Sequence, residues 1–142
     1  KEKYLVKKGD ILFNRTNSKE LVGKTGLISE GTEMAIAGYL IRVRVNEKAN
    51  PYYIWRYLNS VHCKNVLQHM CKSIVGMANI NAQELQNIKL LLPPLDLQTQ
   101  FATQIQAIET QKQQAQANLK NSQNLFNSLL QKAFKGQLTA TG

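Results

Sequence analysis

From Leu95 to Lys135 the chain contains neither glycine nor proline, and apolar residues recur along it at alternating intervals of four and three. Phe101, Ile105, Ile108, Ala115, Leu119, Phe126, Leu129 and Ala133 fall on one heptad seam, interrupted only by Lys112 and Ser122. That spacing predicts one helix over residues 95–136, a rod roughly 60 Å long at about 1.5 Å per residue. A single helix of that length has no core of its own, so its seam must pack against another helix. Asp96 is placed to cap the N-terminus, and Gly136, just past the last seam residue, to stop the C-terminus. The glutamines between them read as solvated faces, and residues 137–142 as a tail.

The rod leaves residues 1–94 to form the globular part. Strand signals recur early: Ile11-Leu12-Phe13 after Gly9-Asp10, residues 25–29 after Gly23, and residues 39–45 after Gly38. The last alternates cleanly, with Tyr39, Ile41, Val43 and Val45 turned to a core and Leu40, Arg42, Arg44 and Asn46 on a wetter face. Asn50-Pro51 opens a helical stretch over residues 52–72. Ile54, Leu58 and Val61 keep helical spacing there before the stripe shifts to Val66, Leu67 and Met70, which predicts a bend or a helix buried on two sides. Residues 73–78, with Gly76, read as irregular or extended. Asn81 followed three residues later by Glu84 is a capping box for a short helical turn. Residues 88–92 read as a buried strand stopped by Pro93-Pro94.

Lysine and arginine outnumber acids 18 to 9. Residues 1–95 hold 14 basic and 7 acidic side chains, residues 96–142 only 4 and 2, so a polyanion would meet the first part. The longest apolar run, residues 34–41, is far shorter than the roughly 18 residues a membrane span requires. No leader opens the chain, and two cysteines are too few for a disulfide framework, so a soluble protein of the reducing cytoplasm is expected. The chain begins Lys1-Glu2-Lys3, and residues 4–6 already look like the interior of a folded segment. A fragment of something longer is expected.

Enzyme chemistries find little support. His62-Cys63 and His69-x-Cys71 gather metal-capable groups but follow no paired-cysteine zinc spacing, and no orienting group accompanies a Cys-His pair. Asn50-Pro51-Tyr52-Tyr53 resembles the Asn-Pro-Pro-Tyr motif of amino-methyltransferases but lacks the second proline, so a helix start with Pro51 at its first position is the simpler reading. No Asp/Glu-x-Lys triplet of the nuclease kind occurs. Gly23-Lys24-Thr25 lacks the earlier glycine of a phosphate loop. No cofactor and no metal are expected.

What remains is a basic sheet domain with polar loops. Arg15, Thr16, Asn17, Ser18 and Lys19 follow the first strand with groups that read base edges and grip phosphates, and Lys24 and Thr25 lie one loop further on. A second polar loop, from Lys72 and Ser73 to Asn79, would close on the same surface. Composition alone favours ordinary solvated turns for both loops.

Asn79-Ile80-Asn81-Ala82-Gln83-Glu84-Leu85, then Ile88-Lys89-Leu90-Leu91-Leu92-Pro93-Pro94-Leu95, then Gln98 and Gln100-Phe101 resemble the junction at which a target recognition domain of a type I restriction-modification specificity subunit gives way to a long conserved-region helix. Leu129-Leu130-Gln131-Lys132-Ala133-Phe134-Lys135-Gly136-Gln137-Leu138 resembles the end of that helix, and Gly9-Asp10-Ile11-Leu12 with Arg15 a strand within the domain. Leu97 departs from the glutamate common in the family. The resemblance implies an α+β fold: a mixed twisted sheet with a packed helix over residues 1–94, then one long coiled-coil-like helix. It implies a non-catalytic subunit that reads one half of a split site in double-stranded DNA. Methyltransferase subunits dock on the paired helices, a restriction subunit can join them, and the helix partner is a second specificity half or a second copy. Because family domains exceed 94 residues, further strands upstream are expected. The rival reading is a coiled-coil assembly protein whose basic domain binds RNA or another protein.

Overall fold

The computed structural model describes residues 5–18, 21, 23–30, 36–70, 72–74 and 77–138, with only the backbone at residues 17, 72–74, 77 and 78. It divides into two units, Lys1–Ala102 and Thr103–Gly142. The described strands are β1 (Ile11–Asn14), β2 (Thr16–Ser18), β3 (Thr25–Leu27), β4 (Leu40–Val43), β5 (Lys72–Ile74) and β6 (Met77–Asn79).

In the first unit β1 is the middle strand of a sheet ordered β3-β1-β4, and a second sheet is ordered β2-β6-β5. Where a mixed sheet was expected, every described pairing is antiparallel. Parallel neighbours need long crossovers, whereas two residues separate β5 from its partner β6. Ile11 pairs with Leu27 and Val43, and Phe13 with Thr25 and Ile41. Ile11 and Phe13 are fully buried, and Ile41, Val43 and Val45 pack against them as the alternation requires. Tyr39 is exposed, one position before its strand begins.

The opposite face of β4 is not simply wet. Arg44 donates to both carboxylate oxygens of buried Asp10, at 2.6 and 3.0 Å, and Arg42 donates to the Leu5 carbonyl at 2.6 Å. The Lys7 amide adds a third bond to Asp10, at 2.8 Å.

The helical stretch is two helices, α1 (Pro51–Leu58) and α2 (Val61–Met70). Asn50 caps α1 by accepting the Tyr52 and Tyr53 amides, with Pro51 at the first position as its fixed φ favours. The break comes earlier than the apolar stripe implied because Asn59 is drawn to β3. Its side chain accepts the Thr25 amide at 3.2 Å and donates to the Thr25 carbonyl at 2.9 Å. Ser60 then accepts the Cys63 amide and starts α2, which buries Cys63 and Leu67 and leaves Val61 exposed. The short helix α3 (Ala82–Gln86) carries the expected capping box: Asn81 accepts the Gln83 and Glu84 amides, and Glu84 accepts the Asn81 amide, each at 2.9 Å.

Residues 88–92 are not the buried strand expected. The segment is irregular and Leu90, Leu91 and Leu92 are exposed. Its carbonyls are taken by side chains instead of a ladder, Lys89 by the Tyr57 hydroxyl at 3.2 Å and Leu91 by the Tyr53 hydroxyl at 2.9 Å. The long helix α4 (Leu95–Phe134) starts one residue before Asp96, with the Pro94 carbonyl accepting the Leu97 and Gln98 amides. Asp96 therefore lies in the first turn, where its charge favours the helix dipole without capping. Gln98 overturns the reading of the glutamines as uniformly solvated. It is fully buried, accepts the Asn50 amide at 2.8 Å, and donates to the Pro93 and Lys48 carbonyls at 2.7 and 3.1 Å. Ala102, one turn on, is buried, and Phe101 meets Tyr53 edge-on with ring centroids 5.5 Å apart.

In the second unit α4 continues to Phe134 and stops at Gly136, whose φ of 68° is left-handed. The Gly136 amide bonds the Ala133 carbonyl at 3.0 Å and the Gln137 amide the Lys132 carbonyl at 2.9 Å, the paired closure of a Schellman motif. Ile108, Ala115, Leu119, Phe126, Leu129 and Ala133 of the seam are exposed, as are Leu125, Leu130 and Phe134 beside it. No helix among the described residues is long and apolar enough to cross a membrane.

Candidate nucleic-acid interface

Arg15 is the hinge between the two sheets of the first unit. Its amide donates to the Tyr39 carbonyl at 3.0 Å and its carbonyl accepts the Ile80 amide at 2.9 Å, so its backbone is held on both sides while its side chain is half-buried. What the sequence presented as a polar loop is thus a strand, β2, beginning one residue later. The second polar stretch forms β5 and β6, and β6 pairs with β2. The two stretches therefore meet in one sheet, with Thr16, Asn79 and Lys72 in one row and Asn17, Ala78 and Ser73 in the next. The Thr16 hydroxyl donates to the Asn79 side-chain oxygen at 3.1 Å. Ser18 is half-buried. Lys19 lies outside the described residues, as do the side chains of Asn17, Lys72 and Ser73.

The turn before β3 stands beside the end of β1. The Gly23 amide donates to the Asn14 carbonyl at 2.8 Å, and the Asn14 amide to the Lys24 carbonyl at 3.0 Å. Lys24 is exposed one residue from Gly23. Thr25 is not available to a ligand: it is 6% exposed, its hydroxyl donates to the Gly23 carbonyl at 2.9 Å, and its own carbonyl accepts from Trp55 Nε1 at 2.8 Å. Its placement follows from the register that sets it opposite core residue Phe13.

Nothing in the residue pattern pointed to Lys64. This half-buried residue of α2 donates its ammonium to the Gly23 carbonyl. Burial pushes it below the ordinary lysine value, and the charge of Lys24 acts in the same direction against the opposing influence of Cys63. Burial likewise pushes the Cys63 thiol up. Helical periodicity marks where α2 is buried but not which turn of another element a polar side chain reaches. Arg56 stacks over Trp55, 5.3 Å from the ring centroid, on the helix that supports β3. Among the described residues no three of histidine, cysteine, aspartate and glutamate gather as a metal site.

A family profile, the type I restriction modification DNA specificity domain, matches residues 1–125. The chain belongs to that family. Among similar specificity-domain proteins, the type I restriction enzyme EcoKI specificity subunit of Escherichia coli K12 is 32% identical over 139 residues, covering 93% of this chain and 30% of the relative. A chain of Methanocaldococcus jannaschii assigned the same role, as the MjaX specificity subunit, is 36% identical over 102 residues, covering 70% of this chain and 24% of the relative. The StySPI specificity subunit of Salmonella potsdam is 28% identical over 145 residues, covering 97% of this chain and 31% of the relative. The specificity-domain chain thus spans less than a third of the length of these relatives.

Proposed function

We propose that the first unit reads one half of a split site in double-stranded DNA and that α4 joins it to a second recognition half while giving methyltransferase subunits a docking surface. The observation that carries this reading is the specificity-domain match over residues 1–125, which takes in both the sheets and most of the long helix. In this reading Arg15 is the base-reading candidate, because a guanidinium offers paired donors to a guanine edge and its backbone is pinned on both sides. Lys24, exposed on the adjoining turn, serves a phosphate, as does Lys19. Thr16, Asn17, Ser18, Lys72, Ser73 and Asn79 supply the surrounding polar surface. The seam from Phe101 to Ala133 pairs with the equivalent helix of a second specificity half or a second copy, and a restriction subunit can join the assembly. Methylation and cleavage belong to those partners.

The test is duplex binding by the full chain with a methyltransferase partner, on target and on mixed-sequence DNA. Arg15→Ala should weaken target binding by about 1 to 3 kcal/mol and leave mixed-sequence binding nearly unchanged. Equal losses on both would move Arg15 to the phosphates, and a preference for RNA over duplex DNA would overturn the reading.

A further inference from the structure

We propose that Lys64 is a positioning residue for the DNA-phosphate contact of Lys24, acting from α2 on the Gly23–Lys24 turn. The proposal rests on the reading of Lys24 as a phosphate contact. The turn is clamped between two elements. On one side the Gly23 amide and the Lys24 carbonyl are bonded to Asn14, the residue before Arg15. On the other the Gly23 carbonyl receives the Lys64 ammonium together with the Thr25 hydroxyl. The turn calls for glycine, since Gly23 has a left-handed φ of +75°, and a Cβ there would lie 2.5 Å from Leu67 Cδ1 of α2, which would have to shift.

Lys64 gains little stability in return for its placement. A lysine is ordinarily free in water, and drawing its ammonium partly out of solvent is costly without an opposing charge. Lys64 faces a carbonyl, with the like charge of Lys24 nearby. What the arrangement does achieve is to fix the backbone from which Lys24 projects, with a second positive charge behind it. A flexible side chain on an anchored turn loses less entropy on meeting a phosphate than one on a free loop.

Two measurements on the full chain test this. In the free protein, Lys64→Met should speed amide exchange at Gly23 and Lys24 by roughly tenfold and leave Ile54 in α1 unchanged. Lys64→Gln, which keeps a donor for the carbonyl without the charge, should stay closer to the native rate, and an unchanged rate at Gly23 in both variants would overturn the anchoring. On a mixed-sequence duplex, the salt dependence of binding should flatten by about one charge unit in Lys24→Met, in Lys64→Met and in the double variant alike. Flattening by about two units in the double variant would make Lys64 a phosphate ligand in its own right and overturn the positioning role. If Lys24→Met leaves the slope unchanged while exchange responds as expected, the phosphate reading of Lys24 falls and takes the DNA role of Lys64 with it, although the anchored turn stands.

Discussion

Asp10 is almost wholly buried at the start of β1, with Arg44 on both carboxylate oxygens and the Lys7 amide beside them. Burial pushes its carboxyl up, but the Arg44 hydrogen bonds, the Lys7 amide and the charges of Arg44 and Arg42 outweigh burial and hold it below the usual carboxylate value. Hydrogen bonds to a charged group are each worth about 1.5 to 3 kcal/mol, and Arg44 is 46% exposed at its side chain, which discounts them. Asp10→Asn should therefore cost about 2 kcal/mol in urea unfolding near neutral pH. The dependence on pH has a definite sign. The unfolded chain protonates first, at about pH 3.9, so the contribution of Asp10 is complete well above that value and is lost as pH falls through the lower folded-state value. The gap between the native chain and Asp10→Asn should hold near neutral pH and shrink as pH falls below about 3.9 towards the folded-state value, and a gap that stays constant would show that the carboxylate charge does not carry the effect.

The long helix α4 changes character along its length. Its first two turns bury Gln98 and Ala102 within the first unit, and the Gln98 side chain bonds three backbone groups there. Beyond them the seam is exposed, and its last turns broaden as Leu125, Leu130 and Phe134 join Phe126 and Leu129. An apolar seam of this kind gains roughly 1.5 to 3 kcal/mol for each large side chain it buries against a second helix. Leu119→Asp or Phe126→Asp should break the pairing while the first unit stays folded. Sedimentation of the full chain, with circular dichroism to follow the helix, is the measurement; a native chain that is a stable monomer with an ordered helix excludes pairing through this seam.

For the whole molecule, the proposed pairing makes α4 a spacer between two recognition halves. Four residues added in register to each paired helix extend it by about 6 Å. DNA rises about 3.4 Å per base pair, so the gap between half-sites should lengthen by no more than about two base pairs, with the half-sites unchanged. Four residues are near a full turn and rotate the seam modestly, whereas two swing it to the far side and should abolish assembly. Methylation mapping of the lengthened protein reads the gap directly, and an active assembly that keeps its original gap would show that the helices do not set the distance.

Local patterns were legible in the amino-acid sequence wherever the forces that set them are local. The length of α4, its stop at Gly136, the capping box at Asn81 and Glu84, the start of α1 at Pro51 and the inward set Ile41, Val43 and Val45 all follow from period, caps and fixed dihedrals within a few residues. The family resemblance, too, lay in short contiguous motifs. Tertiary structure alone decided how β2 and β6 pair, bringing Arg15, Thr16 and Asn79 near one another, and it withdrew Thr25 from the surface by seating it opposite Phe13. It also gave Gln98, Asn59 and Lys64 their places, because a buried polar group is satisfied by whatever backbone the fold brings to it. Their distant partners lie 34 to 50 positions away in the chain. Residues 88–92 show the same limit from the other side, since their strand-like composition yields to the hydroxyls of Tyr53 and Tyr57, which occupy the carbonyls a neighbouring strand would have used.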